Sequence, residues 1–284
     1  MHPHRPVARR QPAHVYRLRR AVAATAAVLV AFGVLNLLGV GSGGGSEEAV
    51  TTTSETTTTT LPPPPGCTEA DVVVRDDPTA AWATVLVDTA RSLPPDYGPP
   101  DLRNISEAGF PFTDGLAVRQ LMLGDLDALR QAAADNGTPL SILAAYRSYA
   151  QQASLFDRRV GEIGGTEAGS RVARPGHSEH QLGTTIDVTS EGLTDVDQAW
   201  GATAAGQWVA TNAFKFGFLL SYPQGASDRT CYDYEPWHLR YVGREQAAAV
   251  ITSGLTLREY LWQLDPVDIT TTTTAGATSA PPAP

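Results

Sequence analysis

Residues 21–40 form an apolar run without a single charged side chain, and this run divides the chain into two unequal parts. A helix of about 20 residues spans the hydrocarbon core of a bilayer. Six arginines and no acidic residue lie in 1–20, whereas Glu47 and Glu48 follow the run. The positive-inside rule therefore predicts a transmembrane helix at 21–40, with a basic cytoplasmic tail before it and the rest of the chain outside. A cleaved signal peptide is the alternative, although its apolar core would be shorter, about 7–15 residues.

The charge of the chain limits the kinds of partner that it can bind. The formal net charge is −9, and without the six N-terminal arginines 15 basic residues remain against 30 acidic ones. Binding of nucleic acid needs a basic face. The charge balance after the apolar run therefore argues against nucleic acid as a partner.

Low-complexity segments flank one predicted domain. Residues 41–66 combine GSGGGS, a threonine run and four consecutive prolines, which is typical of a flexible or extended linker. Residues 265–284 repeat Thr, Pro and Ala, a composition that predicts a disordered tail. Between them, 67–264 is long enough for one domain and contains both cysteines of the chain, Cys67 and Cys231. If this domain lies outside the membrane, the two cysteines are expected to form a disulfide.

Hydrophobic periodicity and turn residues predict a mixture of helices and strands in 67–264. Because no alternating βαβ pattern is present, the predicted fold class is α+β. The predicted helices cover 79–93, 116–136, 149–161, 200–216, 244–253 and 257–264. The predicted strands cover 71–75, 140–145, 184–189, 218–222 and 236–242, and 164–175 is predicted to be a loop.

The strongest local signal is the segment SEHQLGTTID, residues 178–187. It contains His180 and Asp187, with Gly183 between them and a β-branched run after the glycine. A chain that turns at Gly183 can bring the imidazole and the carboxylate together, and both are ligand types that zinc accepts. A histidine and an aspartate at this spacing are more often structural than metal-binding, so the pair needs support from elsewhere in the chain.

A second segment, EPWHLRYVG at 235–243, offers that support. His238 can supply a third ligand, and three protein ligands leave one zinc position open for chemistry. Glu235 lies three residues earlier, and a carboxylate beside the metal but not bound to it can take a proton from the attacking water. Trp237 and Tyr241 are predicted to lie in the core rather than to contact substrate.

A third segment, AAYRSYAQQ at 144–152, places Arg147 between a predicted strand and a predicted helix. An arginine that points into a cleft from this position can bind a carboxylate or a developing oxyanion. Taken alone, Arg147 would be interpreted as a surface or salt-bridge arginine.

Together the three segments resemble the motifs of the D-alanyl-D-alanine metallopeptidases. SEHQLGTTID is similar to their S-x-H-x-x-G-x-x-x-D signature, EPWHLRYVG to E-x-W-H-x-R-Y-V-G, and AAYRSYAQQ to S-G-Y-R-S-x-x-x-Q. The resemblance is greatest to VanY-type D,D-carboxypeptidases and covers about residues 90–250. The chain departs from the pattern at Ala144 and Ala145, which stand where the family has Ser-Gly, and this departure puts the substrate preference in question.

The resemblance implies a fold and a role for each site residue. The implied fold has a small central antiparallel sheet flanked by helices, as in lysostaphin-type peptidases and the hedgehog domain. Glu235 would be the general base and then the acid that protonates the leaving amine. Arg147 would stabilise the oxyanion or the terminal carboxylate of the substrate. The implied zinc ligands are His180, Asp187 and His238, and the implied substrate-holding residues are Ser178 and Gln152.

The implied reaction is removal of the C-terminal D-alanine from peptidoglycan stem peptides that end in D-Ala-D-Ala. An L,D-carboxypeptidase or a D,D-dipeptidase of the cell wall would use the same zinc centre with different cleft walls, and both remain alternatives. A non-catalytic wall-binding module that keeps zinc for its structure is a third. Glu235 argues against this module, because a purely structural zinc site needs no base.

Overall fold

The computed structural model describes residues 64, 66–67, 69–74, 77–111 and 115–266. The predicted basic tail, the predicted membrane span at 21–40 and most of the predicted linker and C-terminal tail lie outside these residues. Among the described residues, no helix is both long enough and apolar enough to cross a membrane.

Eight strands and seven α-helices can be assigned within the described residues. The strands are β1 (Val72–Val73), β2 (Arg91–Ser92), β3 (Leu102–Asn104), β4 (Ala117–Arg119), β5 (Leu140–Ala144), β6 (Thr185–Ser190), β7 (Phe218–Leu220) and β8 (His238–Tyr241). The helices are α1 (Leu123–Asp135), α2 (Tyr149–Ile163), α3 (Gly165–Arg171), α4 (Ala204–Asn212), α5 (Ser227–Thr230), α6 (Arg244–Ser253) and α7 (Leu257–Leu264). Short 3₁₀ turns lie at Ile105–Ala108, Gln120–Met122, Glu179–Leu182, Gln198–Ala202 and Ala213–Phe216.

The central sheet contains four strands in the order β5-β6-β8-β7, and every neighbouring pair is antiparallel. In this register Asp187 on β6 lies opposite His238 on β8 and Ala144 on β5. Two further small sheets pair β1 with β2 and β3 with β4. The mixture of helices with small sheets confirms the predicted α+β class.

Alternation along the central strands gives the sheet two different faces. Ile186 of β6 and Leu239 of β8 are fully buried in the main apolar core, together with side chains from α1 and α4. Asp187 and His238, the neighbours of these two residues in sequence, are directed to the opposite face. The sheet therefore has one apolar face and one face that carries two of the predicted metal ligands.

The predicted helix at 79–93 is wrong, because this segment forms turns that lead into β2. The side chain of Asp88 accepts hydrogen bonds from the backbone N–H groups of Ala90 and Arg91, at 2.9 and 2.8 Å. Such local side-chain bonds compete with helix formation. Residues 85–93 are also buried without interruption, so the segment lacks the exposed face of a surface helix.

Other predicted boundaries were right or wrong for identifiable reasons. Helices α6 and α7 and strands β5 and β6 lie where the periodicity placed them, within one residue. The helix predicted at 116–136 begins only at Leu123, because residues 117–119 form strand β4 and pair with β3. This tertiary pairing outweighs the helical periodicity of the sequence. The predicted loop at 164–175 contains α3, which an ion pair between Glu167 and Arg171 at 2.8 Å supports.

Cys67 and Cys231 form the disulfide that was predicted. Cys231 directly follows α5 and adopts a left-handed conformation with φ of 71°. The bond joins the beginning of the described domain to the chain just before β8. Glu235 and His238 lie on this same stretch of chain.

Candidate metal and catalytic site

The turn predicted at Gly183 brings His180 over strand β6. Residues 179–182 form a 3₁₀ turn that Ser178 caps, because its hydroxyl accepts a hydrogen bond from the backbone N–H of His180 at 3.3 Å. Gly183 ends the turn with φ of +71°, a conformation that glycine adopts without strain. As a result, Nε2 of His180 lies 3.4 Å from Oδ2 of Asp187.

His238 completes a group of three potential metal ligands. Its Nδ1 lies 3.3 Å from Oδ1 of Asp187, the residue opposite it in the sheet. One ligand atom from each of His180, Asp187 and His238 lies within 4.8 Å of the other two. The three residues that the sequence analysis selected are therefore gathered at one point.

The environment of these side chains fits a zinc ion. Oδ1 of Asp187 is buried, and among the described residues its 3.3 Å approach to Nδ1 of His238 does not reach hydrogen-bond geometry, which leaves this oxygen able to bind an ion. The rings of His180 and His238 meet edge to face, with centroids 5.0 Å apart. Two imidazoles and one carboxylate are a ligand set that zinc uses in catalytic sites.

Each histidine has one ring nitrogen held by a partner outside the triad. Nδ1 of His180 lies 2.7 Å from the carbonyl oxygen of Ala145, which leaves Nε2 for a metal. Nε2 of His238 lies 3.0 Å from Oε2 of Glu179, which leaves Nδ1. Glu179 was not predicted from the sequence as a residue of the site. The available signal was its place next to His180, but its contact with His238 spans 59 residues of sequence and depends on the fold.

Burial and neighbouring charges shift the pKa values of the triad and of Glu179. Burial alone would raise the pKa of Glu179, but a hydrogen bond with His238 and the charge of Arg240 bring it to about 2. Burial alone would lower the pKa of His238, but its contacts with Asp187 and Glu179 raise it to about 10 in the metal-free protein. Burial opposes a lowered pKa at Asp187, yet the two histidines lower it. Burial lowers the pKa of His180, which favours the neutral form that binds metal.

Glu235 lies beside the triad rather than within it. Its Oε2 is 3.5 Å from Nδ1 of His238, and its backbone N–H donates to the carbonyl of Tyr222 at 3.1 Å. Burial, partly offset by the positive charge of His238, raises the pKa of Glu235 to about 8. A carboxyl group with a pKa near neutrality can both accept and return a proton.

Arg147 and Gln152 form the opposite wall of the site. Nη1 of Arg147 donates to Oε1 of Gln152 at 2.7 Å, and Nε2 of Gln152 donates to the carbonyl of Ala173 at 2.6 Å. Burial lowers the pKa of Arg147, although the charges of Asp187 and Glu235 act against this shift. These contacts hold a partly buried cation in the same cleft as the carboxylates of the site.

These side chains line one cleft of about 380 Å³. Trp237 also lines the cleft while it packs against the main core, so the prediction that it would lie only in the core was right in part. Tyr241 lies in the core as predicted, and its hydroxyl donates to Asp125 at 2.7 Å. All the predicted ligand, catalytic and substrate-binding residues line the cleft, namely Arg147, Gln152, Ser178, His180, Asp187, Glu235 and His238.

Residues 115–244 match the family model of VanY, described as D-alanyl-D-alanine carboxypeptidase. The chain is also 41% identical over 179 residues to the putative carboxypeptidase YodJ of Bacillus subtilis. That match covers 62% of this chain and 65% of YodJ, just under two thirds of the relative's length.

Two solved structures are similar to the described domain. The LdcB LD-carboxypeptidase has a TM-score of 0.58 and 39% identity, and the similarity covers 63% of this chain and 84% of that one. A mutant of the D,D-pentapeptidase VanY from a VanB-type vancomycin resistance cassette, in complex with Zn(II), has a TM-score of 0.54 and 29% identity, with 63% and 99% covered. The motif matches, the family model and these relatives together show that the chain belongs to the VanY family of D-alanyl-D-alanine carboxypeptidases.

Proposed function

We propose that this chain is a zinc-dependent D,D-carboxypeptidase that removes the C-terminal D-alanine from peptidoglycan stem peptides. The observation that carries the proposal is the position of Glu235, a partly buried carboxyl group, 14% exposed, that lies beside the three candidate ligands and in the same cleft as Arg147. A site that served only to hold a structural metal would need neither group. Membership of the VanY family and the Zn(II) complex of a VanY relative support the same reaction.

His180, Asp187 and His238 would hold the zinc ion. Bound there, zinc supplies a Lewis acid that polarises the scissile carbonyl and lowers the pKa of the attacking water. The three residues all come from the turn at 179–182 and from two adjacent strands, so the fold holds them in place before any metal binds.

Glu235 would move the proton. It accepts a proton from the water that adds to the carbonyl carbon, and the peptide C–N bond then breaks. The same carboxyl group donates that proton to the nitrogen of the departing D-alanine, so the proton count balances. The positive charge of a metal at the triad would lower the pKa of Glu235 from its metal-free value of about 8 and thereby favour the basic form.

Arg147 would position the end of the substrate. A guanidinium group forms strong, charge-assisted hydrogen bonds with a carboxylate or a developing oxyanion. A terminal carboxylate bound to Arg147 would place the last peptide bond of a chain next to Glu235, which is the selectivity of a carboxypeptidase. Gln152 orients Arg147, and Ser178, at the head of the ligand turn, lies in the same cleft to contact the peptide.

An L,D-carboxypeptidase is the second candidate, and a specific observation favours it. The similar LdcB structure, at 39% identity, is that of an LD-carboxypeptidase. In addition, Ala144 and Ala145 replace the Ser-Gly of the family pattern, and Ala145 supplies the carbonyl that binds His180. The same catalytic residues would then act on the bond one residue earlier in the stem peptide.

Mass spectrometry of stem peptides incubated with the purified, zinc-loaded protein separates these reactions. We expect loss of one D-alanine from a pentapeptide that ends in D-Ala-D-Ala and no change in the corresponding tetrapeptide. Loss of D-alanine from the tetrapeptide alone would identify an L,D-carboxypeptidase, and release of the D-Ala-D-Ala dipeptide would identify a dipeptidase. No cleavage of any wall peptide would favour the non-catalytic module.

We also propose that the domain works outside the cell membrane, anchored through residues 21–40. The arginines before this run, the acidic residues after it and the disulfide between Cys67 and Cys231 support this location. Protease added to intact cells should remove the domain and leave the N-terminal segment protected. A domain that resists protease until the cells are lysed would contradict the proposal.

A further inference from the structure

The two histidines of the triad differ in what holds their outer ring nitrogen. His180 is held by a backbone carbonyl, that of Ala145. His238 is held by a carboxylate, that of Glu179, and it presents Nδ1 to the site where His180 presents Nε2. A histidine whose outer nitrogen donates to a carboxylate is fixed in one tautomer and is a more basic metal ligand.

Glu179 is itself held firmly from the side away from the metal site. Its side chain is only 4% exposed. Oε2 accepts a hydrogen bond from the hydroxyl of Ser221 at 2.5 Å as well as contacting His238, while Oε1 lies 3.1 Å from Nη1 of the fully buried Arg240. Both carboxylate oxygens are therefore engaged, and the carboxylate has no alternative orientation that keeps these contacts.

We propose that Glu179 is a positioning residue: it holds the ring of His238 so that Nδ1 faces the metal site. Arg240 and Ser221 hold Glu179 in turn. The inference rests on the proposed function only in that the triad binds zinc. It does not depend on which wall peptide is cleaved.

This assignment extends the site beyond the segment that the family model matches. Nη2 of Arg240 donates to the carbonyl oxygens of Trp82 and Val85, at 2.7 and 3.3 Å. Both residues precede residue 115, where the match begins. The carbonyl groups of Trp82 and Val85 thus position Arg240, and Arg240 in turn positions Glu179, which orients His238.

The test is the zinc affinity of Glu179→Gln, measured by competition with a chelator of known affinity. Glutamine keeps the size of the side chain but removes the charge that pairs with His238 and Arg240. We expect zinc to bind about 10–100-fold more weakly, the range typical for loss of an outer partner of a ligating histidine. The Co(II)-substituted protein should also change its visible absorption spectrum, since the geometry around His238 changes.

Asp125→Asn is the matched control. Asp125 on α1 forms an ion pair with Arg244 at 2.7 Å and accepts a hydrogen bond from the hydroxyl of Tyr241 at 2.7 Å, and it does not line the cleft. Its loss should lower the thermal stability of the metal-free protein, but should leave zinc affinity and the Co(II) spectrum unchanged. Equal zinc affinity in wild type and Glu179→Gln, or an equal loss in Asp125→Asn, would overturn the positioning role.

Ser221→Ala covers the case in which Glu179→Gln does not fold. This change removes one hydrogen bond to Glu179 and leaves the ion pair with Arg240 intact. We expect a loss of zinc affinity of a few fold, and an unchanged affinity would contradict the proposal. A wild-type protein that binds no zinc would refute the proposed function instead, so the two failures can be distinguished.

Discussion

Leu239 and His238 are neighbours on β8, yet they face opposite sides of the central sheet and lie in different surroundings. Leu239 is fully buried among apolar side chains of the main core. His238 is equally enclosed, but its neighbours are the carboxylates of Asp187, Glu179 and Glu235. The same contrast separates Ile186 from Asp187 on β6.

Burial serves two purposes in this one sheet. On the apolar face, burial removes hydrocarbon from water and stabilises the fold. On the polar face, burial costs free energy because charges lose solvation, and each charge has to find a partner. The apolar face therefore supplies the stability that holds the charged side chains of the polar face in place. Substitutions on the polar face should change metal affinity more than they change the free energy of unfolding.

The largest expected difference is between a substitution on the apolar face, Leu239→Ala, and one on the polar face, Asp187→Ala. Leu239→Ala should lower the free energy of unfolding by about 2–5 kcal/mol, because it leaves a cavity in the core. The folded fraction of that variant should still bind about one zinc per chain. Asp187→Ala should abolish zinc binding in a protein that still folds. Denaturant unfolding and metal analysis measure the two effects.

Two results would break this contrast. Full zinc content in Asp187→Ala would remove the aspartate from the ligand set. Loss of zinc from folded Leu239→Ala would mean that packing on the apolar face controls metal binding on the polar face.

The elements with regular hydrophobic periodicity were the part of the structure that could be predicted best. The positions of β5, β6, α6 and α7 follow from local hydrophobic periodicity, and α7 begins at a capping box between Thr256 and Glu259. The segment 79–93 was predicted wrongly, since its structure depends on the turn at Asp88 and on burial from several sides.

The site was predictable where its residues share a local motif. His180, Asp187 and the turn at Gly183 lie within ten residues, and the motif around Glu235 and His238 is equally short. Glu179 and Arg240 could not be paired from sequence, because 61 residues separate them and their contact forms only when the ligand turn packs against β8.

A smaller effect is expected at the cleft wall opposite the carboxylates. Arg147→Ala should lower kcat/KM for a D-Ala-D-Ala pentapeptide by about 10–100-fold, the equivalent of one lost charge-assisted hydrogen bond. Arg147→Lys should restore activity only in part, because lysine keeps the charge but lacks the planar fork. Arg158→Ala, an exposed arginine on α2 outside the cleft, is the control and should retain normal activity. Normal activity in Arg147→Ala would exclude the carboxylate-binding role.

The smallest expected effect is a dependence of zinc affinity on pH. In the metal-free protein the pKa of His238 is about 10, so at neutral pH its ring carries a proton that zinc has to displace. Zinc binding near pH 7 should release about one proton from His238 and up to about one more from Glu235, so the apparent affinity should rise at least about tenfold per pH unit between about pH 7 and 9. That proton also stabilises the metal-free fold below about pH 6.5, and this stability is lost as the pH rises through 10. Calorimetry in buffers of different ionisation enthalpy counts the protons, and a pH-independent affinity would contradict the assignment of His238 as a ligand.

The turnover of Glu235→Gln with zinc bound shows whether Glu235 carries the proton in the reaction. Glutamine matches the glutamate in size and cannot accept a proton, and Glu235 lies outside the ligand triad. Zinc content and unfolding should therefore stay near wild type, while D-alanine release from the pentapeptide falls by at least about 10²–10⁴-fold, since one group serves both proton transfers. Near-normal release by zinc-loaded Glu235→Gln would show that Glu235 is neither the base nor the acid of the reaction.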